Sequence, residues 1–288
     1  MTPPVPFVRE NQGVLKVKIK YYGVRGSIPA PDPRTVKYGG NTPCVAVWNA
    51  DNLLILDGGT GLRVLGNELM STPFGRGRGQ AAFLFSHFHW DHIQGFPFFV
   101  PAYIPGNSFQ LYGPSIAGVS LEDTLRQQQE YQNFPVSMAE MASTLAFVNL
   151  KRGQILDING MEVTNRRLNH PAGVFGYRIS SQGKSIVYAT DTEHYSAPDP
   201  TLLELADHSD ILIYDAAYTP EHYQERVGWG HSTYEEGIKI AKAANVGALH
   251  LFHFDASLSD DMIDAIVEKA RKDFPNTFAA KEGWEFTL

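Results

Sequence analysis

Apolar and polar positions alternate along "VLKVKIKYYG" (14–23), the period-two pattern of a strand with one solvated face. The runs "PCVAVWNA" (43–50) and "DNLLILDGGTG" (51–61) predict two more strands, with Asp51-Asn52 turning between them. "AAFLF" (81–85) is short and wholly apolar, as a strand buried on both faces would be. Between the first two strands, "VRGSIPAPDPRTVKYGGNT" (24–42) is rich in Pro and Gly and predicts no regular element. Residues 1–13 read as an irregular arm. From 113 to 146 the pattern turns helical and polar ("SLEDTLRQQQEYQ", "SMAEMASTL"), which suits either a helical cap or a dimer surface.

A series of strands follows in "LAFVNLK", "QILDINGMEVTNRRLNH" and "GVFGYRISSQGKSIVYATDT". Helices then alternate with strands: "PTLLELADHS", "ILIYDAAY", "STYEEGIKIAKAANV", "ALHLFHF" and "SDDMIDAIVEKARKDF". A meander that gives way to alternation predicts an α/β (α+β) fold, a four-layer αβ/βα sandwich, and one domain over 1–288. No solenoid repeat or low-complexity linker divides it.

Composition narrows the function classes. The chain has 288 residues, 43% hydrophobic, 19% charged and 12% aromatic, an ordinary globular balance. A net charge of -7 argues against a general nucleic-acid binder, so no stable nucleic-acid complex is expected. A small anionic substrate stays admissible, because a bound metal can reverse the local field. Cys44 is the single cysteine, so no intramolecular disulfide can form, which suits a reducing compartment. The N-terminus shows no signal-peptide pattern and no run of about 18 apolar residues appears, so the expected location is cytoplasmic, away from membranes.

Directly after "AAFLF" comes "SHFHWDHIQG" (86–95), with three histidines and an aspartate inside six residues. Such clustering gains nothing for a core. On an extended segment His87 and His89 share a face, and a turn into helix would aim Asp91 and His92 from another side of the same opening. Two pairs of ligands suit two metal ions. Imidazole and carboxylate without thiolate suggest Zn2+, with Mn2+ or Fe2+ as alternatives. His170 in "RLNHPAG", Asp191 in "VYATDTE" and His253 in "LHLFHFD" each stand at the end of an apolar or β-like run. Taken singly, each reads as well as a cap or a core residue.

Taken together, these positions resemble the metallo-β-lactamase fold superfamily, which has HxHxDH, a later His, a later Asp and a final His in that order. The resemblance implies His87, His89 and His170 on one metal, Asp91, His92 and His253 on the other, and Asp191 bridging them. It also implies that Asp57, in "LILDGGTG", supports the ligand loop through hydrogen bonds. Further stretches, "YYGVRGSIPAP…YGGNTPC", "SHFHWDHIQGFPFF" and "YDAAYTPEHYQERVGWGHST", look like the phosphodiesterase branch of cyclic-nucleotide and phosphonate-pathway enzymes, with ribonuclease Z as a more distant relative. That branch implies a catalytic set of His231 as general acid, Asp215 as its partner and Asp91. The expected reaction is hydrolysis of a small or cyclic phosphodiester by a hydroxide held between two cations. Phe88 and Phe254 depart from polar or histidine residues common in relatives and would reshape the pocket.

Other readings stay open beside this one. An RNA 3′-processing endonuclease of ribonuclease Z type would commonly carry a long tRNA-gripping arm between the third and fourth motifs, yet here only a hairpin's length joins His170 to Asp191. A lactonase, a β-lactamase or a metal-bound nucleotide sensor would use the same fold. Asn41 and Thr42 fit either a pocket wall or a turn. Arg76 and Arg78 read as a solvated loop, and His194, His208, His222 and His250 have no motif to make them ligands.

Overall fold

The computed structural model describes residues 16–288, so the arm expected at 1–13 lies outside the described residues. Its strands, in chain order, are β1 (Val17–Gly23), β2 (Cys44–Asn49), β3 (Asn52–Leu56), β4 (Gln80–Leu84), β5 (Ser108–Pro114), β6 (Thr144–Leu150) and β7 (Ile155–Ile158). There follow β8 (Met161–Leu168), β9 (Val174–Ser181), β10 (Lys184–Ala189), β11 (Ile211–Asp215), β12 (Ala248–Phe252), β13 (Thr277–Ala279) and β14 (Glu285–Thr287). They form two seven-stranded sheets, ordered β14-β1-β2-β3-β4-β5-β6 and β13-β12-β11-β10-β9-β8-β7. Pairing is antiparallel among β14, β1, β2 and β3 and parallel from β3 through β6. The second sheet repeats that division, antiparallel from β7 to β10 and parallel from β10 to β13.

The period of two decides which side chains fill which layer. In β3, Leu54 and Leu56 join the core between the sheets with Tyr177, Tyr188 and Ile213. Leu53 and Ile55 point the other way, into a second core with Phe83, Phe85 and Phe109. Helices α1 (Gly61–Leu69), α2 (Trp90–Ile93) and α3 (Leu121–Gln128) follow the first sheet's strands; Leu62, Leu65, Leu121 and Leu125 cover that second core. On the opposite side come α4 (Pro200–Ala206), α5 (Pro220–Tyr223), α6 (Tyr234–Ala243) and α7 (Asp260–Asp273), whose Leu202, Ile238 and Ile266 cover the outer face of the second sheet and continue the same cluster. Helix, sheet, sheet, helix is the four-layer αβ/βα sandwich. Central strands buried on both faces explain why "LLIL" and "AAFL" are continuously apolar.

Two readings need correction. The segment 113–146 is mainly the crossover from β5 to β6, and only Leu121–Gln128 and one turn at Met138–Glu140 are helical. Leu121 and Leu125 are fully buried, so α3 is part of a layer rather than a polar cap. The turn after β2 lies at Ala50-Asp51, and Asn52 already opens β3. The short edge strands β13 and β14 were not anticipated; three residues carry too little periodicity to be read.

Candidate metal centre

Most side chains of the centre are delivered where parallel strands end, while His170 follows the antiparallel β8 and His231 lies in the loop between α5 and α6. Asp57 follows β3, the His87–His92 loop follows β4, Asp191 follows β10, Asp215 ends β11 and His253 follows β12. Asp57, Asp191 and His253 have φ of 57°, 51° and 61°, the left-handed region that costs a non-glycine residue about 1 kcal/mol. Each leaves a buried strand by that sharp step, which turns its side chain into the opening. Hydrogen bonds hold the strained residues in place.

The ligand atoms of the seven predicted residues fall into two neighbouring groups, and a third group joins Asp191 and His253 to Asp215 and His231. His87, His89, His170 and Asp191 form one, and Asp91, His92, Asp191 and His253 the other; within each, the ligand atoms lie within 4.8 Å of one another. Asp191 belongs to both. Its Oδ2 is 3.5 Å from His87 Nε2, and its Oδ1 is 3.2 Å from His92 Nε2 and 3.1 Å from His253 Nε2. Asp91 Oδ2 lies 3.2 Å from His92 Nε2 and 3.1 Å from His253 Nε2. His92 Nε2 and His253 Nε2 are themselves 3.2 Å apart.

These contacts fit a divalent cation better than hydrogen bonding. His92 gives its Nδ1 proton to Asp57 Oδ2 at 2.8 Å, so a neutral His92 presents a bare lone pair at Nε2. That nitrogen faces carboxylate oxygens and another imidazole at close range, so the contacts call for a positive charge there, supplied either by a proton on His92 or by a cation. Atoms bound tetrahedrally at about 2.0 to 2.1 Å from one ion would stand about 3.3 Å apart, close to the spacing here. In addition, His87 Nε2 and both ring nitrogens of His170 are buried without hydrogen-bond partners.

The electrostatics agree. Burial lowers the pKa of His87, aided by His92, and burial likewise lowers His89 and brings His170 to about 4. All three are therefore neutral, with lone pairs free to bind, at ordinary pH. Burial would also lower His92, but Asp191, Asp91 and Asp57 outweigh it and push its pKa up. Asp91 is held well below the usual carboxylate range because His92 and His253 outweigh its desolvation. The carboxylates thus call for positive charge at the pair's centre.

Asp57 orders the loop as the resemblance implied. Besides His92, its carboxylate accepts from Ser86 N–H at 2.7 Å, Ser86 Oγ at 2.8 Å and Tyr188 Oη at 2.8 Å. Four acceptor contacts on one buried carboxylate fix the imidazole's rotation and tautomer.

At the lip, His231 Nδ1 is 3.0 Å from Asp215 Oδ2, which also accepts from Thr192 N–H at 3.2 Å. Burial opposes the charged ring, but Asp215 prevails and raises the His231 pKa to about 9. His231 shares a mouth of about 570 Å³ with Ser27, His89, Trp90, Asp91 and Asp191.

Several residues of the centre escaped sequence reasoning. Ser27 N–H donates to Asp91 Oδ2 at 2.8 Å, and a Cβ on Gly26 would stand 2.4 Å from His253 Nδ1. The "RGS" tripeptide therefore walls the centre, although the sequence marked it only as irregular and as part of a family-like stretch, with no role for Gly26 or Ser27. Glu193 accepts from Tyr223 Oη at 2.9 Å, Gly228 N–H at 2.6 Å and Gly230 N–H at 2.9 Å, tying down the loop that delivers His231. A lone Glu two places after Asp191 gave no signal of this. Conversely, Asn41 and Thr42 are structural: Asn41 binds Glu282, and Thr42 exchanges hydrogen bonds with Thr60. His194 binds Ser232 Oγ and His250 pairs with Tyr21 Oη, outside the ligand groups.

Comparison with known proteins gives this arrangement its family. The profile described as "Beta-lactamase superfamily domain" matches residues 52–254. Ribonuclease Z of Oceanobacillus iheyensis is 26% identical over 251 residues, 68% of this chain and 78% of that protein. The metallo-beta-lactamase fold protein YhfI from Bacillus subtilis superposes with a TM-score of 0.73 at 20% identity, covering 95% of this chain and 100% of that one. A diphosphatase of the PhnP family superposes at 0.66 with 18% identity, covering 94% and 98%. The two superpositions speak for the fold. The profile match runs from before Asp57 to just past His253 and so encloses all seven converging side chains. The chain belongs to the beta-lactamase superfamily and is a metal-dependent hydrolase.

Proposed function

We propose that this hydrolase cleaves a small or cyclic phosphodiester, with two divalent ions, most simply Zn2+, and His231 as the general acid. His87, His89 and His170 would hold one ion, Asp91, His92 and His253 the other, and Asp191 would reach both. When bound, the ions supply Lewis acidity, stabilising charge on a phosphoryl group and lowering the pKa of water toward about 7.

The chain's own residues do the rest. Asp215 orients His231 through Nδ1 and holds the ring protonated, so that its other nitrogen can give a proton to a departing alkoxide. An alkoxide is a poor leaving group, and such help is typically worth about 10² to 10⁴ in rate. Asp57 keeps His92 turned toward the centre, and Ser27 N–H restrains Asp91. Trp90, 81% exposed beside the mouth, offers a planar surface to a nucleobase.

The observation that carries the reading is the His231–Asp215 pair at the lip of the ligand groups, the position from which a leaving oxygen can be protonated. A mouth of about 570 Å³ suits a small substrate. The stretch between His170 and Asp191 is filled by the β9–β10 hairpin, with Gln182 and Gly183 at its turn, which leaves no arm to grip a folded RNA. The second reading, RNA 3′ processing, draws on the ribonuclease Z relatives. For the setting we favour the cytoplasm, where the buried free thiol of Cys44 is stable; no helix of the described residues is long and apolar enough to cross a membrane.

Zinc- and manganese-loaded protein set against cyclic mononucleotides, bis-p-nitrophenyl phosphate, a precursor tRNA, a lactone and a cephalosporin tests all of this. Turnover of the first two with little on the others is the expected outcome. Preferential cleavage of the tRNA would install the second reading, and activity confined to the lactone or cephalosporin would refute both.

A further inference from the structure

We propose that a cavity behind the His170 ring, walled by Arg152 and Arg167, binds a second phosphate of the substrate. The preferred substrates are then phosphodiesters that carry an additional phosphate. The inference rests on the phosphodiesterase reading above and narrows it to a substrate class.

This cavity, of about 310 Å³, is lined by Arg152, Arg167, Asn169, His170 and Tyr195 among others. Both arginines also line an adjoining space of about 280 Å³ beside Ala172 and Gly173. Among the described residues neither guanidinium makes an ion pair or side-chain hydrogen bond, whereas nearby Arg166 is paired with Glu204 and Arg178 with backbone carbonyls. The carboxylate on the cavity, Asp199, is committed to capping α4 by accepting from Thr201 N–H at 2.8 Å. Two uncommitted guanidinium groups facing a shared space make a site for a phosphate, which matches their fork of donors.

A second observation points the same way. His170 is buried and lines this cavity, yet neither ring nitrogen has a partner. The rings of His170 and His89 are 4.8 Å apart, and His89 lines the mouth over the metal centre. One ligand can therefore place its diester at the mouth and a second phosphate between the arginines, with the ring pair between them. Arg167 also rests against the His170 loop, since a Cβ on Gly173 would stand 2.9 Å from its Nη2.

The test uses thymidine 5′-(p-nitrophenyl phosphate) and the same ester bearing a 3′-phosphate, which release the same leaving group. Metal-loaded protein should show a KM lower by about tenfold or more for the phosphorylated ester. Combining Arg152→Gln with Arg167→Gln should abolish that advantage while leaving kcat, and both constants for the plain ester, within about twofold. Because Arg167 touches the His170 loop, Arg152→Gln alone is the gentler variant and should shift KM in the same direction. Equal KM values in the unaltered protein, or an equal loss on both esters in the variants, would overturn the proposal. Calorimetry with thymidine 3′,5′-bisphosphate separates this site from the hydrolytic reading. Binding that weakens by about tenfold or more in the double variant supports the site even if neither ester is turned over, an outcome that would sink the phosphodiesterase reading alone. No binding to the unaltered protein, or the same binding in the variant, would remove the site.

Discussion

Asp215 Oδ2 holds His231 Nδ1 at 3.0 Å, while Asp215 Oδ1 accepts from Ala217 N–H at 3.0 Å, so the carboxylate is clamped to its own loop as it orients the imidazole. Asp215→Asn keeps the shape but removes the charge that stabilises the protonated ring. We expect kcat to fall by about 10² on an alkyl phosphodiester and by much less on bis-p-nitrophenyl phosphate, whose leaving group needs no proton. Metal content, measured by atomic emission, should stay at the unaltered level. A matching loss on both substrates would mean that the pair does not act as acid and positioning partner.

Asp57 should govern metal affinity without touching a metal. Asp57→Asn replaces the anion that takes the His92 Nδ1 proton and also weakens its contacts with Ser86 and Tyr188. Loss of such an outer partner typically weakens metal binding by about 10- to 100-fold. Competition with a chromophoric chelator measures this, and an unchanged affinity would assign Asp57 to folding alone.

How much of this was readable beforehand follows from the range of each signal. His87, His89, Asp91 and His92 announce themselves because four ligand-type side chains in six residues have no core explanation. His170, Asp191 and His253 became candidates only as an ordered set, since a single His or Asp at the end of a strand reads equally well as a cap. The sandwich was legible because its central strands are buried on both faces and read as apolar runs. Glu193, Gly26 and Ser27 were not legible: Gly26 and Ser27 act through one close approach or one backbone group, and Glu193 through a carboxylate whose three donors lie 30 or more residues away. The arginine pair is of the same kind, since Arg152 precedes β7 and Arg167 lies on β8, and only the β7–β8 pairing brings them together.

Gly26 should be intolerant of any side chain. An alanine Cβ there would lie 2.4 Å from His253 Nδ1 and 3.0 Å from the His253 carbonyl oxygen. The ring or the loop must move, and His253 is no part of the His87–His89–His170–Asp191 group. Gly26→Ala should therefore weaken the Asp91–His92–His253 ion more than the other, giving protein that retains close to one metal after dialysis instead of two. Metal stoichiometry with thermal stability as a companion reads this out. Retention of both ions at unaltered affinity would mean that the loop yields freely.

His250 gives the fold a pH dependence that is independent of the metals. It is 3% exposed, 2.6 Å from Tyr21 Oη and packed against Trp284 and Phe286, and burial lowers its pKa from 6.5 to about 3. As pH falls below about 6.5, the unfolded chain takes up a proton that the folded ring refuses until about pH 3, so the unfolded state binds more protons throughout that window. Stability must therefore rise with pH across it and be lost on acidification, by about 2 kcal/mol between about pH 7 and pH 5 from this one group. His250→Asn retains a polar partner for Tyr21 but cannot titrate. It should be less stable at pH 7 from imperfect packing, yet its urea midpoint should fall less steeply with acid than that of the unaltered protein. Acid loss of the metals is common to both proteins and cancels in the comparison of slopes. Parallel slopes would show that the folded ring takes up its proton as readily as the unfolded one.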